Sequence, residues 1–206
     1  MIKIIDDFLP INYINAIEEL CYRRDFPWIY CNETVYETRL LNENLWEKQF
    51  VHQLFNDGIP TSEHYKFFMP IMFLLEQQLN CNIKQLMRLK INLLTTIPED
   101  HVLFLPHIDS GDKEEYLSAI LYINDSDGDT IIYENNVLDR SFVEKENGYQ
   151  NYLEQRMAND VWKIKKQVEY KKNRLVVFDG SHFHEARWPT KHKDRIVLNI
   201  VFKLVS

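Results

Sequence analysis

Cysteine is scarce in this chain of 206 residues: Cys21, Cys31 and Cys81 are the only three. An odd number without C-x-x-C spacing argues against a disulfide framework and against a zinc knuckle, and reduced thiols suit a cytoplasmic setting. Long apolar runs are missing as well. None approaches the ~20 residues of a membrane-spanning helix, and the N-terminus lacks the basic, apolar, small-residue order of a secretory signal. A cytoplasmic protein without a membrane partner is therefore expected. Positive charge is in deficit, 24 Lys and Arg against 31 Asp and Glu for a net −7. This balance argues against nucleic acid as a general partner, although a local basic groove stays open. The small basic clusters at Lys163-Lys165-Lys166, Lys171-Lys172-Arg174 and Lys191-Lys193 read as solvated strand faces and turns. The 12 Phe, 11 Tyr and 4 Trp have no basic stripe beside them and read as core. Repeats and low-complexity segments are absent. The length suits one domain, 1–206, with a sizeable core.

Two halves differ in periodicity. In residues 1–85 helical signals dominate. Asn12 can cap a helix to about Arg24 with Ile14, Ile17, Leu20 and Cys21 as its apolar stripe. A short helix is expected within 42–57 around Leu45, Phe50 and Leu54. Another starts at Thr61 or Ser62 and reaches about Leu79, with Pro70 kinking it or beginning its main part. Trp28 to Tyr36 reads as extended. From residue 86 onward the pattern is mostly β: Arg88–Leu94, Tyr116–Asn124, Thr130–Tyr133, Asn173–Asp179, Phe183–Ala186 and Arg195–Phe202. Turn clusters fall at Asp125–Asp129 and Pro189–Lys193, and 134–159 reads as a polar insertion. The expected fold is mainly β with flanking N-terminal helices around a double-stranded β-helix, or jelly-roll, core.

The tripeptide His107-Ile108-Asp109, answered later by His184 and Arg195, is the pattern that carries chemistry. Two imidazoles and one carboxylate are the ligand set of a mononuclear non-haem Fe(II) site with open coordination positions. Residues two apart on an extended chain point to one side, so His107 and Asp109 can share a metal. The tripeptide alone is weak evidence. Seven histidines and 31 acidic residues in 206 positions give about one chance His-x-acid. His192-Lys193-Asp194 is indeed a second, read here as a solvated loop. His182 competes with His184 for the second imidazole, as the two share a strand face, while Glu185 is expected on the opposite, solvated side. His52, His64 and His101 lack ligand-spaced companions. On the last strand Arg195, Val197, Asn199 and Val201 share one face, which points to a polar pocket at the strand ends. An arginine there presents a planar fork for a carboxylate.

The blocks PHIDS, LSAILYIN, DGDT, NRLVVFDGSHFHEARWP and DRIVLNIVF, in that order and spacing, resemble the prolyl-hydroxylase-like branch of the Fe(II)/2-oxoglutarate-dependent dioxygenases. The opening MIKIIDDFLP and Phe26-Pro27-Trp28 resemble the start of small phage and bacterial members; for a phage member the host cytoplasm would be the location. The match covers roughly 86–133 and 160–204, more weakly 1–30, and departs from the family where Asp127-Gly128-Asp129-Thr130 has lost one glycine of a pair. The resemblance implies iron on His107, Asp109 and His184. It also implies the distal carboxylate of 2-oxoglutarate on Arg195, a cosubstrate contact from the Tyr122 hydroxyl and a further polar contact from Asn199. It implies oxidative decarboxylation of 2-oxoglutarate to succinate and CO2, with O2 consumed and a C–H bond hydroxylated. Ascorbate is an optional reductant, and the substrate a protein residue, such as prolyl, or a small molecule. Residues 32–60 and 134–159, which lack family-like blocks, are expected to set substrate choice.

Two other classes compete. One is a non-catalytic jelly-roll binding or structural module with a vestigial metal site, against which an intact triad beside an arginine clamp argues. The other is a cupin-type metalloenzyme without an oxo acid, which would want His-x-His where this chain has His107-x-Asp109.

Overall fold

The computed structural model describes residues 1–32, 48–101, 106–110, 114–136 and 162–205. Its frame is an antiparallel sheet built from β1 (Ile2–Ile5), β2 (Ile29–Cys31), β3 (Gln49–Asn56), β4 (Ile59–Pro60), β5 (Ile83–Thr95), β6 (Leu117–Tyr122), β9 (Leu175–Asp179) and β11 (Asp194–Leu204). The strand order is β1-β9-β6-β11-β5-β3-β2, with β4 hanging on β3. A second, three-stranded sheet runs β10 (His182–Ala186), β7 (Thr130–Asn136), β8 (Ile164–Val168). The mainly β jelly-roll core expected from the sequence is the fold observed.

Alternation along the strands sorts the core into two layers. Leu198, Ile200 and Phe202 of β11, Leu89 and Ile91 of β5, Ala119 and Leu121 of β6 and Val177 of β9 face one way, into a cluster shared with the helices. Helix α1 (Ile11–Cys21) presents Ile14, Ile17 and Cys21 to it, and α3 (Pro70–Leu79) presents Ile71, Met72 and Leu75. Ile120, Tyr122, Val176, Phe178 and Val197 face the other way and meet Ile132, Val168 and Tyr170 from the side of the small sheet. The helices thus buttress the back of the large sheet, leaving its other face to form a cleft with the small one. Among the described residues no helix is long and apolar enough to cross a membrane.

The N-terminal region needed correction. Residues 49–56 form strand β3, inserted in the large sheet beside β5, where a helix was expected. The four-residue spacing of Phe50 and Leu54 imitates a helical stripe. A register shift between Gln53 and Phe55 instead buries two consecutive side chains, Leu54 and Phe55. Region 1–85 therefore supplies strands as well as helices. Helix α1 begins after Pro10 rather than at an Asn12 cap and ends at Cys21, short of Arg24. The expected 61–79 helix is two pieces, α2 (Tyr65–Phe68) and α3, with Pro70 starting the second, where its missing N–H costs nothing. The chain leaves α3 through Asn80 in the left-handed conformation, φ 52°. Most of the insertion expected at 134–159, and the stretch 33–47 with Leu45 and Tyr36, lie outside the described residues.

Candidate metal centre

The cleft face of the large sheet is written in strand register. Along β11 the residues Arg195, Val197, Asn199 and Val201 stand opposite Leu94, Asn92, Lys90 and Arg88 of β5. Facing them, the His107 tripeptide docks onto the small sheet by a two-residue bridge: His107 N donates to His184 O and His184 N to His107 O, both at 2.9 Å. That bridge brings two residues 77 positions apart into contact, with ring centroids 4.5 Å apart. Phe178 packs edge-on against His184 at 4.8 Å.

Ligand atoms of His107, Asp109 and His184 all lie within 4.8 Å of one another, and they are the one such group of three among the described residues. Asp109 is held from three strands. Arg88 of β5 donates to Oδ1 at 2.5 Å, Asn199 of β11 to Oδ1 and Oδ2 at 3.0 and 3.2 Å, and Ser118 of β6 to Oδ2 at 2.7 Å. Burial alone would push this carboxyl up, but the nearby His184, Arg88 and His107 outweigh it and hold it far below the ordinary range. For His184 burial is the larger effect and lowers its pKa against the pull of Asp109, favouring the neutral imidazole that binds metals. The donor set, its burial and its protonation states fit a divalent transition metal. His182 is otherwise engaged, with Nε2 2.9 Å from the Lys165 amine. His192 sits 3.0 Å from Asp127, whose carboxylate also accepts from the Thr190, Lys191 and His192 backbone amides. It belongs to that loop and, among the described residues, to no metal group.

Arg195 is 2% exposed. Its Nε donates to Gly128 O at 2.7 Å and its Nη2 to Thr130 Oγ1 at 3.0 Å. Among the described residues no carboxylate lies within ion-pair distance of it. The stacked rings of Tyr122 and Tyr170, 4.2 Å apart, lie near its guanidinium carbon, at 5.7 and 5.5 Å. Gly128 is required here: a Cβ would fall 2.4 Å from Arg187 O and 2.7 Å from Arg195 Cδ. Gly128 is therefore the residue the arginine packs on.

Tyr122 and Asn199 stand one step from the roles expected of them. The Tyr122 hydroxyl donates to Thr130 Oγ1 at 2.8 Å, so it is tied to Arg195 through a shared threonine and is absent from the cavity lining. Asn199 lines the cavity and spends its amide on Asp109. Glu185 corrects its expectation: it is fully buried, 3.0 Å from Arg187 and hydrogen-bonded to the Tyr133 phenol, because the outer face of β10 is covered where open strand was anticipated. Sequence reasoning missed Arg88, Ser118, Thr130 and Tyr170. A signal for Arg88 existed, since Arg88, Lys90 and Asn92 recur every second residue along a strand otherwise apolar.

A cavity of about 330 Å³ unites these groups, lined by the three candidate ligands and by Arg88, Lys90 and Arg195 among others. No protein-family model and no curated protein matches the sequence. Solved structures do. A prolyl-4-hydroxylase from Pseudomonas putida is 19% identical, with a TM-score of 0.55 over 98% of this chain and 91% of the other. A prolyl hydroxylase from Trichoplax adhaerens, in complex with a hypoxia-inducible-factor peptide fragment, is 14% identical, with a TM-score of 0.57 over 98% and 82%. The epimerase SnoN of nogalamycin biosynthesis, in complex with Fe3+, α-ketoglutarate and nogalamycin RO, is 11% identical, with a TM-score of 0.63 over 98% and 78%. At these identities the likeness is one of fold. The chain has the fold of the 2-oxoglutarate/Fe(II) oxygenases, prolyl hydroxylases among them.

Proposed function

We propose that the protein is an Fe(II)- and 2-oxoglutarate-dependent dioxygenase. It hydroxylates a C–H bond of a protein residue or small molecule and releases succinate and CO2. The observation that carries this reading is Arg195, a buried guanidinium with no carboxylate partner among the described residues, lining the same cavity as a His-Asp-His group of which His184 is buried and the other two half-buried. A buried, permanently charged group is costly until an anion meets it, and the planar fork matches a carboxylate bidentately.

His107, Asp109 and His184 would hold the iron, which when bound activates dioxygen and couples decarboxylation of the oxo acid to oxidation of the substrate. The protein's own residues do the positioning. Arg195 takes the distal carboxylate, with Gly128 O and Thr130 fixing its direction and Tyr122 fixing Thr130. Arg88, Asn199 and Ser118 fix the Asp109 carboxylate, so that ligand is oriented before metal arrives. Val197, Ile120 and Leu94 give the cavity its apolar walls and limit water around the reacting centre.

Release of labelled CO2 from 1-[14C]-2-oxoglutarate by the Fe(II)-loaded protein in air tests the reading. Slow, substrate-independent release is expected from wild type and none from His184→Ala. An iron-loaded wild type that binds 2-oxoglutarate yet releases no CO2 above the variant contradicts it.

A further inference from the structure

Three cationic side chains line the cleft, and the proposed chemistry uses two. Arg88 is committed to Asp109, and Arg195 awaits the cosubstrate. The third is Lys90, on the cleft face of β5 between Arg88 and Asn92, opposite Asn199 of β11 and Gln53 of β3. It lines the cavity beside the candidate ligands. Among the described residues its amine has neither a carboxylate at ion-pair distance nor a hydrogen-bond acceptor. Asp109 is engaged with Arg88, Asn199 and Ser118 rather than with Lys90. Burial, with help from Arg88, lowers the Lys90 ammonium to about 8 against the pull of Asp109 and Cys31, so it remains largely protonated at neutral pH.

A second observation points the same way. Asn92, next along the same face, lines the cavity and has its Oδ1 buried without a hydrogen-bond partner. Buried amide oxygens are ordinarily satisfied. A cation lacking an anion therefore stands beside an acceptor lacking a donor.

Position separates Lys90 from the cosubstrate clamp. Lys90 is four residues from Leu94, the register partner of Arg195, or ~13 Å along an extended strand. It is one strand away from Asn199, whose amide holds Asp109. Lys90 thus stands at the register level of the residue that holds Asp109, one strand over, and away from the level of Arg195.

We infer that Lys90 binds the primary substrate, and that this substrate carries an anionic group, a carboxylate or a phosphomonoester, with a hydrogen-bond donor near it for Asn92. The assignment of the subsite to substrate rests on the proposed function. With iron offset by a dianionic oxo acid and Arg88 by Asp109, Arg195 and Lys90 leave the cleft positively charged. Arg195 is turned to the cosubstrate, and an anion at the Lys90 ammonium would reduce the surplus and anchor the substrate in the cleft that holds the metal group.

The test is a 1H–15N NMR titration of the protein loaded with Zn(II), a diamagnetic stand-in for iron, and saturated with 2-oxoglutarate. Acetate, inorganic phosphate and neutral acetamide are added at constant ionic strength. Saturable shifts at Lys90, Gln53 and Asn199 are expected with at least one anion and not with acetamide. Acetate alone would indicate a carboxylate, and phosphate alone a phosphomonoester. Lys90→Met should weaken that anion about tenfold or more, the size of one charge-assisted hydrogen bond, with 2-oxoglutarate binding unchanged; Lys90→Arg should retain it. The inference is overturned if neither anion gives a saturable response or if Lys90→Met binds the anion like wild type. It is also overturned if Lys90→Met loses 2-oxoglutarate as severely as Arg195→Ala, because Lys90 would then serve the cosubstrate. If 2-oxoglutarate itself leaves the surroundings of Arg195 unmoved, the proposed function fails; the same anion series without it still decides whether Lys90 holds an anion.

Discussion

Arg88 grips Asp109 at two points, its Nη2 lying 2.5 Å from Oδ1 and its Nη1 2.9 Å from the backbone oxygen. The contact joins β5 to the tripeptide that supplies two of the three candidate ligands. In the metal-free protein this guanidinium is a permanent counter-charge of a carboxylate whose side chain is 3% exposed. A bound divalent ion would take over much of that role. Arg88→Met is therefore expected to destabilise the metal-free protein more than the metal-loaded one. It should also weaken metal about tenfold or more through lost orientation of the carboxylate. Thermal melts with and without Zn(II), and a competitive chelator titration, check both; equal destabilisation in the two states would make Arg88 a plain packing residue.

Substitution of Arg195 by Ala should separate cosubstrate from metal. Loss of a buried charged partner typically costs about 2–5 kcal/mol, so 2-oxoglutarate should weaken by about 100-fold or more while metal stoichiometry stays the same. Calorimetric titration of the Zn(II)-loaded variant reads the first, and metal analysis the second. Parallel collapse of both would show that Arg195 holds the fold together.

Gly128→Ala tests the packing of that arginine without touching its charge. The new methyl group would meet the Arg187 carbonyl and the Arg195 Cδ at distances real contacts do not reach. Arg195 must shift, and 2-oxoglutarate affinity should fall about tenfold or more with a KM effect exceeding any loss of metal, since a displaced clamp remains charged but misaimed. An unchanged KM would mean the turn can yield independently of the arginine.

Acid should expose a different contact. Asp6 receives Arg174 at 2.6 and 3.1 Å and Lys171 at 3.0 Å, and the Arg174 hydrogen bond, ahead of Lys171, holds its carboxyl far below the ordinary range. The native pKa lies below the unfolded value of about 3.9, so the stabilisation is present above pH ~4 and is lost as pH falls below it. Asp6→Asn should melt slightly below wild type at pH 7, the gap being small because the pair is partly exposed. The gap should begin to shrink below pH ~4 and close only as pH falls through the depressed native pKa. A gap that keeps its full size from pH 7 down to pH ~2 would assign the effect to packing.

How far the sequence reveals this molecule depends on how local each signal is. His107, Asp109, His184 and Arg195 were legible because each sits in a short block whose spacing is set by one strand end or one turn. The strands of the second half were legible because both faces of a buried strand select apolar and β-branched residues. Strand β3 was not, since a bulge gave it a helical spacing and its place depends on pairing with β5, more than 30 residues downstream. Arg88 and Thr130 were overlooked for the same reason. Their partners, Asp109 and Arg195, are 21 and 65 residues away, and only register brings them together.

The most direct test of the central claim is an anaerobic titration of the Fe(II)-loaded protein with 2-oxoglutarate, following the weak visible charge-transfer band of a chelated oxo acid. The account predicts a saturable band in wild type that His184→Ala abolishes. A wild type with iron demonstrably bound and no band would contradict it.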